Sequence, residues 1–168
     1  ADADALVLDL RSRWGGAPLD SAEVFVGGTA ATELIKRDGT VVAGNTRWKK
    51  PVVAIIDEGT RSGLEIYAYA LKSNDIPLVG TKTAGAVLAG TAYMLPDDSL
   101  LILAVQDVVT DGIRLEGEGV APTVEVKRDI RFENGNDPQL AAAIEVVRER
   151  LGGAASGDAA TEGPTSVE

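Results

Sequence analysis

One block of the sequence, residues 51–80, limits the possible folds more than any other. It opens with the apolar run Pro-Val-Val-Ala-Ile-Ile at 51–56, which has the length and composition of a buried strand. A turn follows at 57–60, then a segment with helical spacing from Ser62 to about Ser73, and a second short apolar run at 76–80. Strand, helix and strand in this order form a βαβ unit, whose strands are parallel. The block therefore predicts an α/β fold.

The segments around this block predict further elements of the same domain. They are a strand at 5–10 closed by Gly15-Gly16, a short helix within 19–26 capped by Asp20 or Ser21, a hairpin of 32–35 with 41–43, a second hairpin of 91–95 with 100–106, and a helix from Asp137-Pro138 to about Leu151. We expect residues 1–151 to form one domain. The rest, 152–168, is rich in small and acidic residues and is predicted to be a disordered tail.

Composition excludes several functional classes. The formal charge of −10, from 26 acidic and 16 basic residues without a basic stripe, disfavours nucleic acid as a partner. No apolar run is long enough to span a membrane. Because the chain lacks an initial Met and a strand-like run begins by Ala5, we expect the natural protein to continue upstream. The sequence indicates no oligomeric state.

The chain contains neither cysteine nor histidine. The absence of cysteine excludes disulfides and thiol chemistry, and the absence of histidine removes the usual general base and the commonest transition-metal ligand. We therefore predict no cofactor and no metal site. Any enzymatic mechanism has to take its base from another residue type or from outside this chain.

Ser62 stands where a strand, a sharp turn and a helix meet. A hydroxyl at the start of a helix lies near backbone N–H groups and the positive end of the helix dipole, which suits stabilisation of an oxyanion. Gly63 beside it allows a substrate carbonyl to approach the backbone. A purely structural interpretation also fits, because Ser62-Gly63-Leu64-Glu65 has the S-x-x-E pattern of a capping box.

Four segments of the sequence occur in a recognisable order. They are Leu8-Asp9-Leu10-Arg11 with Trp14-Gly15-Gly16, the serine segment 57–66, the turn 80–85, and Glu116-Gly117-Glu118-Gly119-Val120-Ala121-Pro122. In this order they resemble the catalytic domain of the C-terminal processing (tail-specific) peptidases and, more distantly, the tricorn core protease. The resemblance runs from about Ala5 to Leu151. It implies a crotonase-like or Clp-like spiral of ββα units and a serine endopeptidase activity.

The resemblance also implies roles for particular residues. The family nucleophile corresponds to Ser62, and the two oxyanion-hole amides correspond to Gly63 and Gly16. Without the resemblance, Gly16 is equally well explained as part of an ordinary turn after a strand. Asp9 and Arg11 are interpreted as an architectural ion pair rather than as catalytic groups.

The sequence departs from the family pattern at the general base. Members with a serine–lysine dyad carry Lys and Gln where this chain has Ala86 and Gly90, so the dyad is absent. Lys82 lies in the same turn but is better explained as a solvated surface charge. Tricorn-like members take a histidine from upstream and a Glu that corresponds to Glu116, with Glu118 as the neighbouring candidate. Glu116 is also explained as an exposed turn carboxylate.

The leading hypothesis is a serine endopeptidase that cleaves polypeptides near their C-termini, with Ser62 as nucleophile, Glu116 as an orienting residue and a base outside this chain. The isolated chain is expected to be inactive, because a serine without a base is a poor nucleophile. The alternative is a non-catalytic module that binds a ligand or partner on the same scaffold, as retinoid-binding relatives of this family do. A periplasmic or secreted location is implied by the resemblance alone.

Overall fold

A computed structural model describes residues 2–12, 15–18, 21–26, 34–35, 41–42, 48–128 and 135–158. Its strands are β1 (Leu6–Asp9), β2 (Leu34–Ile35), β3 (Val41–Val42), β4 (Val52–Ile56), β5 (Leu78–Gly80), β6 (Ala89–Met94), β7 (Leu100–Gln106), β8 (Val109–Thr110), β9 (Ile113–Arg114) and β10 (Val124–Glu125). Its helices are α1 (Glu23–Val26), α2 (Gly63–Ser73) and α3 (Pro138–Asp158).

A parallel sheet of four strands forms the centre of the fold, in the order β1-β4-β5-β10. Strand β4 pairs with β1 on one side and with β5 on the other, and all five of its residues are buried. Helix α2 connects β4 to β5, so the predicted βαβ unit and the α/β fold are confirmed. A strand that is covered on both faces has a continuous apolar sequence. This is why the apolar run at 51–56 predicted strand β4.

The side chains of β4 alternate between two hydrophobic clusters, one on each face of the sheet. Ala54 and Ile56 pack with residues of helix α2 such as Ala68 and Leu71. Val53 and Ile55 pack on the opposite face with Ala143 and Val147 of helix α3. Each large aliphatic side chain that is fully buried contributes roughly 1.5–3 kcal/mol. The two helices therefore hold the sheet from both sides.

Arg11 fastens the end of β1 to the start of α3. Its guanidinium forms ion pairs with Asp9 at 2.7 Å and with Asp137 at 2.8 Å, and it also donates to the side-chain oxygen of Gln139. The architectural interpretation of Asp9 and Arg11 agrees with these contacts. The Arg11 hydrogen bonds hold the pKa of Asp137 at about 2 and also lower the pKa of Asp9.

Helix α3 ends later than the sequence predicts. It continues through Gly152 to Asp158, so the predicted end at about Leu151 is wrong. Glycine weakens a helix without preventing it, and the alanines that follow are strong helix formers. The remainder of the predicted tail, 159–168, lies outside the described residues. Among the helices that the structure describes, none is long and apolar enough to cross a bilayer.

Within the described ranges, three two-stranded ladders accompany the central sheet. Strands β2 and β3 pair antiparallel, as do β6 and β7, so both predicted hairpins are confirmed in their paired residues. The tip of the first hairpin lies outside the described residues. The sequence interpretation missed the third ladder, β8 with β9, and the edge strand β10. All three of these strands have two residues, too few to produce an alternating pattern.

Candidate active site

Ser62 occupies a strained position between β4 and α2. Its backbone has φ 58° and ψ −134°, a combination that glycine adopts readily and that costs a residue with a side chain roughly 1–3 kcal/mol. The Ser62 side chain makes no capping hydrogen bond to the helix, and the Glu65 carboxylate bonds elsewhere. The capping-box interpretation is therefore wrong. Strain of this kind is typical of functional positions, where the surrounding structure enforces it.

A glycine turn after β1 packs directly against Ser62. A Cβ added to Gly15 would lie 2.5 Å from the Ser62 Cβ, and one added to Gly63 would lie 2.5 Å from the Ala17 carbonyl oxygen. Side chains at either position would push the two turns apart. Gly16 also has a positive φ of 86°, but a Cβ there would meet nothing within 4 Å, so this residue faces open space.

Asp57, the residue after β4, ties these two turns together. Its carboxylate accepts hydrogen bonds from the Ser12 amide at 2.8 Å, the Ser12 hydroxyl at 2.9 Å and the Gly59 amide at 2.9 Å. Thr60 adds a bond from its hydroxyl to the carbonyl of Leu10. The turn that follows β1 is thereby held against the turn that presents Ser62.

The two turns open onto a cleft of about 630 Å³. Ser62, Gly63 and Gly16 all line it, so the structure brings together the three positions that the sequence associates with a nucleophile and an oxyanion hole. The other lining residues are Ala17, Ile66, Val87, Ala89, Gln106, Asp107 and Val108. Small and apolar side chains dominate this lining.

Glu116 is not among the residues that line the cleft. Its Oε2 atom accepts hydrogen bonds from the amides of Val87 at 2.6 Å and Leu88 at 3.1 Å. The side chain thus bonds to the segment that forms one wall of the cleft, and the interpretation as a freely exposed turn carboxylate is wrong. Glu118 is exposed.

No lysine lines the cleft among the residues that the structure describes. Ala86 and Lys82 are exposed, and Gly90 lies at the start of the β6–β7 hairpin. The described lining of the cleft contains neither histidine nor lysine, and its carboxylate, Asp107, is a weak base because its pKa is lowered. No group of three or more acidic side chains in the described part of the chain could hold a metal ion.

Sequence reasoning missed seven of the lining residues, and three of these are consecutive in the chain. Gln106 ends strand β7 of the second hairpin, and Asp107 and Val108 follow it. Only the folded structure shows that the base of this hairpin returns to Ser62. Asp107 is the charged residue of the lining. A hydrogen bond from Arg114, at 2.7 Å, lowers its pKa. The position of Asp107 directly after a strand was the available signal, but nothing in the sequence indicated that it lies near Ser62.

Comparison with known proteins identifies the family of this chain. The family profile described as peptidase family S41 matches residues 1–126, which is most of the chain. The chain belongs to this peptidase family. Its relatives in family S41 include a carboxyl-terminal-processing protease of Synechocystis sp., 32% identical over 111 residues, and the carboxy-terminal processing protease CtpA of Bacillus subtilis, 30% identical over 135 residues.

These S41 matches cover 61% and 74% of this chain but only 26% and 29% of the two relatives. Among solved structures, the tricorn protease superposes with a TM-score of 0.70 at 26% identity, over 88% of this chain and 15% of that protein. The chain therefore spans less than a third of the length of each of these three proteins. Its α/β fold and its family are those of the S41 peptidases.

Proposed function

We propose that this chain carries the nucleophile of a serine endopeptidase of the C-terminal processing type. The observation that carries the proposal is the convergence of Ser62 with Gly16 and Gly63 on one cleft. Ser62 lies at the N-terminus of α2 in an enforced backbone conformation, and Gly16 beside it faces open space. Membership of family S41 supports the same conclusion.

In the proposed reaction the Ser62 Oγ atom attacks a peptide carbonyl carbon and its proton passes to a base. The amides of Gly16 and Gly63 stabilise the oxyanion of the tetrahedral intermediate. The C–N bond then breaks, the leaving amine takes the proton from the base, and water releases the acyl group from Ser62. We assign the base to a residue outside this lining, because the lining includes neither histidine nor lysine and the lowered pKa of Asp107 makes it a weak base.

Glu116 acts in this proposal without touching the substrate. It holds the amides of Val87 and Leu88, and Val87 forms part of the cleft wall. We therefore assign Glu116 a positioning role rather than a place among the groups that exchange protons.

The proposal is tested by labelling the full-length natural protein with a fluorophosphonate and locating the adduct by mass spectrometry. We expect the adduct on Ser62, no adduct in Ser62→Ala, and an unchanged rate in Ser73→Ala, which alters an exposed serine of the same helix. The 168-residue chain alone should react at least about a hundredfold more slowly, because general-base assistance is absent.

An unlabelled full-length protein, or labelling that survives Ser62→Ala, would contradict the peptidase proposal. Binding of a ligand or partner protein at the same cleft, without labelling, would then support the non-catalytic alternative.

A further inference from the structure

Glu65 is a fully buried carboxylate on the first turn of α2. No ion pair within the described part of the chain involves it; its partners are hydroxyl and amide donors. Burial of a carboxylate without a cation is expensive unless hydrogen bonds replace the lost water. The positive end of the α2 dipole favours a negative charge here. This cost of burial directs attention to the backbone and side-chain groups that Glu65 binds.

The Glu65 carboxylate holds one side of the turn that follows β5. Its Oε1 accepts from the Thr83 hydroxyl at 2.5 Å and from the Gly85 amide at 2.7 Å, and its Oε2 accepts from the Ala86 amide at 2.8 Å. Hydrogen bonds to an ionised acceptor are about twice as strong as those between neutral groups. The turn is therefore bound to α2 by the side chain that stands three residues after Ser62.

Glu116 continues the same pattern along the next two residues. Four consecutive backbone amides therefore donate hydrogen bonds to two carboxylates. The amides of Gly85 and Ala86 donate to Glu65, and those of Val87 and Leu88 donate to Glu116. These residues belong to no strand, so no neighbouring strand fixes their position. The two acidic side chains do so instead, together with a hydrogen bond from the Gly117 amide to the Gly85 carbonyl.

The segment that the carboxylates hold, residues 85–88, contacts the proposed nucleophile directly. The Ser62 amide donates to the Ala86 carbonyl at 2.8 Å, and Val87 is buried in the cleft wall. The Ser62 backbone bond and the Glu65 side-chain bonds therefore converge on Ala86 from two directions. A shift of residues 85–88 would move both Ser62 and the surface against which a substrate lies.

We propose that Glu65 is a positioning residue for the Ser62 reaction: its buried anion fixes residues 85–88, and through the Ala86 carbonyl it fixes the backbone of Ser62. This inference rests on the proposed peptidase function. It assigns Glu65 no contact with substrate and no proton transfer. The strained Ser62 conformation persists because both of its neighbours, the glycine turn and residues 85–88, are themselves held by carboxylates.

The substitution Glu65→Gln tests the anion while keeping the side-chain size. A glutamine side chain has one acceptor oxygen, and its NH₂ group would face an amide N–H of Gly85 or Ala86 instead of accepting from it. The matched control is Glu149→Gln, which removes the same charge from an exposed side chain of α3.

Labelling kinetics of the full-length protein separate positioning from loss of fold. We expect the rate constant for fluorophosphonate labelling to fall about tenfold to a hundredfold in Glu65→Gln, because small misplacements of reacting groups have effects of this size. An irreversibly misfolded fraction would instead lower the final extent of labelling, and reversible unfolding would lower the rate constant only in proportion to the folded fraction, which denaturation measures. A wild-type rate constant in Glu65→Gln would overturn the inference.

Hydrogen exchange of the 168-residue chain provides the second readout and does not depend on activity. In Glu65→Gln the amides of Gly85 and Ala86 should exchange at least about tenfold faster, while those of Val53 and Ile55 in β4 stay protected as in the wild type. Unchanged exchange at Gly85 and Ala86 would overturn the inference even in a variant that is labelled slowly. If the wild-type protein is not labelled at all, the peptidase proposal fails, and the positioning role of Glu65 fails with it. The exchange rates of Gly85 and Ala86 then report only on the Glu65 hydrogen bonds.

Discussion

Ser62 adopts a backbone conformation that sequence reasoning would assign to glycine, and this has a measurable consequence. Because φ 58° and ψ −134° penalise any side chain, Ser62→Gly should have a free energy of unfolding about 1 kcal/mol higher than Ser62→Ala. Both variants lack the hydroxyl, so the comparison isolates backbone strain. Chemical denaturation of the two purified variants measures the difference.

Ser73 supplies the matched control for this prediction. It lies in regular helix at the end of α2 and is exposed, so glycine there should be less stable than alanine by about 0.5 kcal/mol. The opposite sign at the two serines is the expected result. The same sign at both positions would show that Ser62 is not strained in solution.

The local sequence predicted that Ser62 lies at the start of a helix, but it did not predict the hydrogen-bond partners of the nearby Glu65. The strand before Ser62 and the helix after it follow from hydrophobic spacing, which places a serine at a helix start. The same spacing favours a capping box, because Glu65 follows at the right interval. The bonds that decide between the two come from Thr83, Gly85 and Ala86, about twenty residues away, and no local pattern reports such partners.

The attachment of α3 to β1 depends on an ion pair whose strength varies with pH. Arg11 lowers the pKa of Asp137 from 3.8 to about 2. A carboxylate with a lowered pKa contributes stability that is present above its unfolded pKa and disappears as the pH falls through its folded pKa. After a discount for solvent screening, this contribution of Asp137 is on the order of 1 kcal/mol, present above about pH 4 and lost towards pH 2.

Asp137→Asn should therefore be less stable than the wild type at neutral pH and should converge with it as the pH approaches 2. Denaturation at a series of pH values measures this convergence. Glu145→Gln serves as the control, because it removes an acidic side chain from an exposed pair with Arg148 on the same helix. A difference between wild type and Asp137→Asn that stays constant down to pH 2 would show that the Arg11 contact is unimportant.

The elements that were predictable and those that were not differ in how much surface they bury. Strand β4 and helix α2 have continuous or helical apolar patterns because both face a core. Strands β8, β9 and β10 are mostly exposed and two residues long, so their pairing follows from tertiary position and not from composition. The Asp111-Gly112 turn between β8 and β9, with positive φ at both residues, was the one local signal of that ladder.

The β6–β7 hairpin projects from the fold with both of its faces exposed. Alternate residues of β7 point to opposite faces, yet Ile102 is 71% exposed and Leu103 is 45% exposed. The large apolar side chains of the hairpin are Tyr93, Met94, Leu95, Leu100, Leu101, Ile102, Leu103 and Val105. The sequence predicted these strands but could not show that neither face is covered. An isolated two-stranded hairpin is only marginally stable in water.

The exposed apolar area of the β6–β7 hairpin is large enough to form an interface with a second copy of the chain. The exposed fractions of its large apolar side chains correspond to roughly 700 Å² of surface, above what monomers usually expose and close to the about 800 Å² that each partner buries in a standard interface. A second copy offers the same apolar faces and the same free strand edges. Between Ala89 and Gln106 the charged residues are Asp97 and Asp98, both at the tip, so no charge opposes pairing along the strands.

We therefore expect the isolated chain to self-associate through this hairpin, with a mass that rises with concentration in sedimentation experiments. Ile102→Glu should shift the chain towards the monomer, because a second copy would have to bury the new charge. Leu140→Glu, which alters an exposed leucine of α3 away from the hairpin, should leave the association unchanged. A monomeric wild type at submillimolar concentration, or equal effects of the two substitutions, would contradict this expectation.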